Sequence, residues 1–589
     1  MMAADLQLEP ALLQSQLAEV ASVEDLRKLL EQLRSTGFIL HGLFPAKSPK
    51  DLAAAIWRGT TQALLRLTLA DWRQLFPFIL LSEFLGSLRQ LGEISDQELK
   101  DTRTRLVHQH LAEFGEAGWL AGLVLTSLYD ADMRDYVRHN LIWQDPQWRG
   151  FTLTWMSLAF TAQGTWTPEQ QNNRRFLFES LTRYAEETAF FVPPSAFMDA
   201  YWTADPSKYA GLRKAFVRWA GNQGMIASRV PLQRQPSGEK PKIGIVAGNW
   251  RANHASRKAL LSSVRAMREW ASLWLVDTRP HEDTVYTDFD GVIPVSLGTR
   301  PDGSTVVQDE TLAAANLDFL YFIETYQAEL DTLLALRRYA PLQATGYGIP
   351  VTTASPNMDI FFTGKQVEGR GQADYVERVI ALPGIGMHSE RRAPLTTKLE
   401  KPLGGLRVVV TANLIKYTLE YLESLGRIAQ AVPDAEWIFL PNSLHPQVLA
   451  AAPRVADHFP GRKIAWYART TELYGPILNS ADLILDAVPY SGYTTVVDAV
   501  SAGIPILTWS GRHGHERLGA AVARLGGMPA AGIATSLPDF ERKAVDLLRS
   551  PLKREMIRRR IHAHSDRFFA RENELALADA IHKLVLPRK

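Results

Sequence analysis

The stretch SGYTTVVDAVSAGIPILTWSG, Ser491 to Gly511, puts Gly492, Thr494 and Thr495 directly after the apolar run ADLILDAVPY. A helical pattern follows, and then a second apolar run, GIPILTW. Hydroxyls and unpaired backbone N–H groups at the opening of a helix can hold an anion, and a phosphate suits that geometry. The same residues also fit an ordinary strand-to-helix connection capped by Thr. Asp498, one turn further on, can orient the loop by accepting hydrogen bonds or serve only as a cap.

Other polar residues gather after similar apolar runs. LRVVV leads into TANLIKYT, which places Asn413 and Lys416 just beyond a strand. A lysine there can meet a diphosphate as a point charge, with a polar neighbour assisting, or can be a solvated loop residue. RKIAWY leads into ARTTELYGPIL, where Tyr474 can stack on a base or pack. GIPILTW leads into SGRHGHER, with His513, His515 and Arg517. The His pair suggests metal, but no carboxylate cluster completes a site, so none is expected. KIGIVAG leads into NWRANHASRKALL, where His254 can position a substrate, move a proton or be an ordinary loop histidine. In APLQATGYGIPVTTAS, Thr352 and Thr353 are candidates for contacting a ligand or acceptor. Lys416, Tyr474, the Gly-Tyr-Thr-Thr turn and Arg517 all follow strands of one domain, a constellation that suits a nucleoside diphosphate.

The elements that must position these residues are legible in outline. The apolar runs alternate with helical segments, as in a parallel α/β sheet. One set begins at KIGIVAG and includes ASLWLVD and LDFLYFIET; the second begins at LRVVVTA and includes AEWIFLP, RKIAWYA, ADLILDA and GIPILTW. The first 230 residues read as helical: Ser22 caps a helix with Leu26, Leu29, Leu30 and Leu33 at helical spacing, and Gly37 ends it. DLAAAIWRGTTQALLRL and LAGLVLTSLYDADMRDYVRH keep the same rhythm, and nine of the fifteen Trp lie in this part, which points to a packed helical core. It shows no fixed-period repeat. The expected organisation is an all-α domain at 1–230, a first Rossmann-like domain at 241–395 and a second at 405–589 with a C-terminal helix. Linkers fall at PLQRQPSGEKPK and around RRAPLTTKLEKPLGG, and the ligand site belongs in the cleft between the facing sheets.

Composition narrows the function classes. With 46% apolar and 22% charged residues, the 589-residue chain is globular rather than disordered. A net charge of +2 lacks the basic excess of a nucleic-acid binder. The absence of Cys removes disulfides and thiolate zinc sites and fits a reducing compartment. The N-terminus lacks the pattern of a signal peptide, and no run is long enough to span a bilayer. A cytoplasmic enzyme or binding protein is expected.

The signature DAVPYSGYTTVVDAVSAGIPILTWSGRHGHERLGAAVARLGG resembles the family 41 glycosyltransferases. These include protein O-GlcNAc transferases and the bacterial cytoplasmic protein N-glucosyltransferases that modify adhesins. LPDFERKAVDLLRSP, ANLIK, GNWRANHASR, APLQ and GIPVTT continue the likeness in order and spacing through most of residues 241–589. The resemblance implies a two-domain GT-B fold, inverting transfer from a UDP-sugar and no metal. It places Lys416, Thr494, Thr495 and Asp498 around the UDP diphosphate and its loop, with Gly492 in the turn and Asn413 assisting. His254 would lie on the acceptor side and orient the acceptor or take its proton. Tyr474 stands where O-GlcNAc transferases carry a uracil-stacking His, and the Lys and Arg flanking that His are replaced by Thr471 and Ile477. The lack of repeats, the Gly-x-Pro-x-Thr-Thr element with Thr352 and Thr353, and His515 look like the N-glucosyltransferase branch. Arg517 and the Thr494–Thr495 pair look like the O-GlcNAc branch.

The expected activity is therefore transfer of a hexose from a UDP-sugar to Asn in Asn-x-Ser/Thr of a protein or peptide, including an adhesin-like acceptor. O-GlcNAc transfer to Ser or Thr is the alternative within enzymes. A non-catalytic sugar-nucleotide-binding scaffold and a transferase acting on small molecules or glycans are further alternatives. No nucleic-acid partner and no membrane span are expected.

Overall fold

The computed structural model describes residues 10–35, 49–66, 84–85, 88–89, 92–114, 134, 137, 141–160, 166–184, 206–226, 240–299, 305–346, 348, 351–369, 371–392, 395–400, 405–441, 445–462, 464–467 and 472–586. The expected helix end at Gly37, most of the helical segment 120–139, the linker at 231–239, Ile349 and Pro350, and Thr471 lie outside the described residues.

Two parallel sheets organise the chain after residue 240. The first contains β1 (Lys242–Ala247), β2 (Ser272–Asp277), β3 (Gly291–Pro294), β6 (Phe319–Phe322), β7 (Leu342–Thr345), β8 (Ile360–Gly364) and β9 (Arg378–Leu382), while β4 (Ser296–Thr299) and β5 (Thr305–Gln308) form a separate antiparallel hairpin. Its order is β3-β2-β1-β6-β7-β8-β9. The second contains β10 (Leu406–Val410), β11 (Ala435–Phe439), β12 (Ile464–Trp466), β13 (Leu483–Leu485), β14 (Ile506–Trp509) and β15 (Ile533–Ala534), in the order β12-β11-β10-β13-β14-β15. Continuous apolar strands such as Phe319–Phe322 and Leu483–Leu485 are buried along their whole length, as a parallel sheet covered on both faces requires.

The two orders fix where chemistry can occur. In the first sheet β1 lies between β2 and β6; in the second, β10 lies between β11 and β13. At each such reversal the loops leaving the two central strands diverge and open a crevice at their carboxyl ends. His254 follows β1, and Lys416 follows β10. Register pairs Val246 with Phe322 and Val410 with Leu485, so the residues after β6 and β13 form the opposite walls.

The helical region docks on both sheets. Ser22 caps helix Val23–Ser35 through the Asp25 N–H at 3.1 Å, and Leu26, Leu30 and Leu33 are buried. Helix Pro206–Asn222 sets Arg213 4.0 Å over the Tyr326 ring of the first sheet. Trp166 reaches the second sheet, where its indole N–H donates to Leu414 O at 3.2 Å and its carbonyl lies 3.1 Å from His458 Nε2. The final helix, Arg571–Val585, returns to the first sheet and packs on helix Ala255–Met267, with Ser263 Oγ donating to Glu574 O at 3.2 Å. Among the described residues, no helix is long and apolar enough to cross a membrane.

Candidate functional site

Asp486, directly after β13, builds the turn quoted at the outset. It is almost fully buried, and its Oδ1 accepts the N–H groups of Ala487 and Gly492, each at 2.9 Å. Thr508 Oγ1 donates to its Oδ2 at 2.7 Å. Burial pushes the Asp486 carboxyl above the usual range, a push opposed by these donors and by the charge of Lys416. Ser491 Oγ accepts the Gly519 N–H at 2.9 Å and ties the turn to helix Gly514–Leu525. Gly492 is required by close approach, because a Cβ there would lie 2.4 Å from Thr495 Oγ1 and 2.8 Å from Asp486 Oδ1. Thr494 and Thr495 occupy the first two positions of helix Thr494–Ser501, both half-buried.

Lys416 arrives from the neighbouring loop. Asn413 Oδ1 accepts the Ile415 N–H at 3.1 Å and caps the short turn Leu414–Lys416. Lys416 Nζ donates to Ser491 O at 3.2 Å and stands 4.5 Å over the Tyr490 ring. Burial pushes its ammonium down to about 8, against the opposing pull of Asp486. A cation thus stands on the turn that leads into a helix start carrying two Thr, the kinds of group that bind an anion.

On this side Tyr474 and Asp498 are partners of each other. The Tyr474 hydroxyl donates to Asp498 Oδ2 at 2.8 Å, and Arg392 Nε donates to Asp498 Oδ1 at 2.9 Å. Lys258, from the first sheet, lies in the same field and is pushed down by burial and by the Arg392 charge. His515 is buried between the rings of Tyr490 and His513, at centroid distances of 5.9 and 6.1 Å. His513 Nδ1 lies 2.8 Å from Asp374 Oδ2, a bond that joins the two sheets. Arg517, half-buried on the same helix, lies against Gly369 of the first sheet's loops.

On the first sheet His254 caps helix Ala255–Met267, its Nδ1 accepting the Ser256 N–H at 3.3 Å. Its side chain is 39% exposed and faces a fully buried Glu324, with 3.9 Å between Nδ1 and Oε1. Thr352 and Thr353 are each 2% exposed. Both hydroxyls donate to Glu377, and the Thr353 N–H adds a third bond at 2.7 Å. These threonines fix a loop and turn away from open space. A cavity between the sheets is lined by Tyr321, Gly348, Phe362, Thr363, Met387 and Leu518 among others, and Tyr490 OH donates to Gly348 O at its edge.

The structure therefore brings together Asn413, Lys416, Gly492, Thr494 and Thr495, and it sets Asp498 and Tyr474 beside them as a bonded pair. His254 sits across the cleft on the first sheet. Residues that sequence reasoning missed are Asp486, Glu324 and Arg392. The first two had a visible signal, an acid ending an apolar run in ADLILDA and in LDFLYFIET. Among the described residues no group of three or more His, Cys, Asp or Glu side chains could hold a metal ion.

No protein-family model matches the chain. A Solanum lycopersicum protein named "Probable UDP-N-acetylglucosamine--peptide N-acetylglucosaminyltransferase SPINDLY" is 25% identical over 189 residues, covering 30% of this chain and 20% of the relative. The matched part is thus about a fifth of that relative's length. Among solved structures, a point mutant of a Thermobaculum terrenum O-GlcNAc transferase superposes with a TM-score of 0.62 at 16% identity, covering 98% of each chain. That likeness shows the fold, a GT-B arrangement of two facing sheets with a helical region before them.

Proposed function

We propose that the chain is an inverting glycosyltransferase that moves a hexose from a UDP-sugar to asparagine side chains of proteins in Asn-x-Ser/Thr, without a metal. The observation that carries this reading is the placement of Lys416 over Ser491 O, at the head of the turn that ends in Thr494 and Thr495. The acceptor nitrogen attacks the anomeric carbon as the bond to the diphosphate oxygen breaks. The departing UDP takes the electron pair, and the acceptor proton passes to His254. Lys416, the Thr hydroxyls and the helix-start N–H groups meet the charge that develops on the leaving oxygen, a contribution of several kcal/mol in a dry cleft. Asp498 and Tyr474 border the nucleoside end. An amide nitrogen is a poor nucleophile, which makes the group facing the acceptor decisive.

A second reading is supported by the names of the plant relative and of the Thermobaculum protein: transfer of GlcNAc to Ser or Thr. One experiment separates them. The protein is incubated with UDP-glucose, UDP-galactose and UDP-GlcNAc and an Asn-x-Ser/Thr peptide library, and products are fragmented in a mass spectrometer. Hexose on Asn supports the first reading and HexNAc on Ser or Thr the second; no transfer, with Lys416→Ala indistinguishable from the parent in UDP binding, rejects both. Loss of activity with a chelator and recovery with manganese would overturn the metal-independent mechanism.

A further inference from the structure

Behind His254 lies a short hydrogen-bonded chain at the reversal point of the first sheet. His254 Nδ1 is 3.1 Å from Ser256 Oγ, and that hydroxyl donates to Glu324 Oε1. Asn249 Nδ2 donates to the other oxygen, Oε2, at 2.8 Å. The Ser256 hydroxyl has one proton, and it is committed to Glu324, so towards His254 the oxygen can only accept. The Ser256 N–H, 3.3 Å from Nδ1, asks for the opposite tautomer. The two contacts compete for one ring nitrogen, and the Ser256 hydroxyl held on Glu324 favours the protonated Nδ1.

We propose that Glu324 and Ser256 are positioning residues that keep the proton on His254 Nδ1, put the ring's lone pair on Nε2 and strengthen His254 as a base. The proposal rests on the transferase reading for its purpose but not for its test. Asp331 is a further acid near Glu324: burial and the Glu324 charge push its carboxyl up to about 7. Among the described residues, several charged groups near His254 are paired with one another. On its own segment Arg251 meets Asp283 at 3.7 Å and Arg257 meets Asp288 at 2.8 Å. Lys258 lies in the field of Arg392 and Asp498. From the loop after β2, His281 meets Asp283 at 2.5 Å, and Arg279 lies in the field of Glu329 and Asp331 on helix Glu329–Leu334.

The full chain, labelled with ¹⁵N-histidine and compared with a His254→Gln control for assignment, reports both ring nitrogens across pH. The parent should show the Nδ1–H tautomer and a midpoint above the ordinary value of about 6.5. Glu324→Gln should convert it to Nε2–H and lower the midpoint by about one pH unit. Ser256→Ala should lose the tautomer preference while keeping most of the raised midpoint, because the carboxylate stays. An unchanged tautomer in Ser256→Ala, or an unmoved midpoint in folded Glu324→Gln, overturns the proposal. If transfer is detected, the acid limb of kcat/KM should move with the midpoint and kcat should fall about 10–100-fold in Glu324→Gln. Absence of transfer with an intact nitrogen signature would reject the transferase reading and leave the relay standing.

Discussion

The indole nitrogen of Trp166 donates to the carbonyl of Leu414 across 3.2 Å, joining residues 248 apart in the chain. Leu414 opens the turn that presents Lys416, so the helical region touches the backbone of the candidate anion site. His458 anchors the Trp166 carbonyl from the other side at 3.1 Å, and Gln171 reaches Glu420 at 2.6 Å. Trp166→Phe keeps the ring's packing and removes the donor. It should cost about 1 kcal/mol of stability and weaken UDP binding several-fold, as read by denaturation and by calorimetric titration. A loss of stability with unchanged UDP affinity would make this contact a docking bond only.

Lys416 gives a pH dependence with a definite sign. Its folded value of about 8 lies below the unfolded one near 10.5. Between these values the unfolded chain keeps a proton that the folded chain has lost, so this group makes stability rise with pH across that window. Anion binding runs the other way, because it needs the ammonium. UDP affinity should fall several-fold between pH 7 and pH 9 in the parent, and this slope should vanish in Lys416→Ala. Affinity that is flat with pH in both proteins would remove Lys416 from the site.

How much of this was legible in the sequence depends on the range of the interaction. Apolar runs marked β1, β10 and β13 because parallel strands are buried on both faces, and the residues just after them could be read as site candidates. That Lys416 meets the Ser491–Thr495 turn follows from β10 lying beside β13, which no local pattern encodes. Thr352 and Thr353 looked available because their partner, Glu377, lies 25 and 24 residues further on. Tyr474 read as a ring that stacks on a base or packs; its hydroxyl is bonded to Asp498, a polar tip that spacing cannot reveal. Asp486 was passed over within an apolar run, although an acid in such a run must find donors or stay protonated.

Gly492→Ala tests the turn without touching a charge. The added methyl would stand 2.4 Å from Thr495 Oγ1 and 2.8 Å from Asp486 Oδ1, closer than real Cβ contacts allow. Relief requires the Thr495 and Asp486 side chains to move, breaking the bonds that shape the turn, at a cost of about 1–3 kcal/mol. The expected outcome is a folded protein with a lowered melting temperature and UDP affinity reduced at least tenfold. Parental affinity would mean that Thr494 and Thr495 do not hold the nucleotide.

Asp486→Asn separates the structural from the electrostatic part of the same centre. The amide is nearly isosteric: its oxygen can accept the Ala487 and Gly492 N–H groups in place of Oδ1, and its NH₂ can face Thr508 Oγ1 once that hydroxyl turns. The turn should therefore survive. What disappears is the negative charge that props up the Lys416 ammonium against burial. The Lys416 midpoint should drop by about one unit below its parental value, and UDP affinity at pH 7.5 should weaken accordingly while recovering at pH 6. The pH profile of UDP binding, measured beside that of the parent, reads the shift directly. If the two profiles coincide, Asp486 acts only as a scaffold for the turn and Lys416 is held charged by other means.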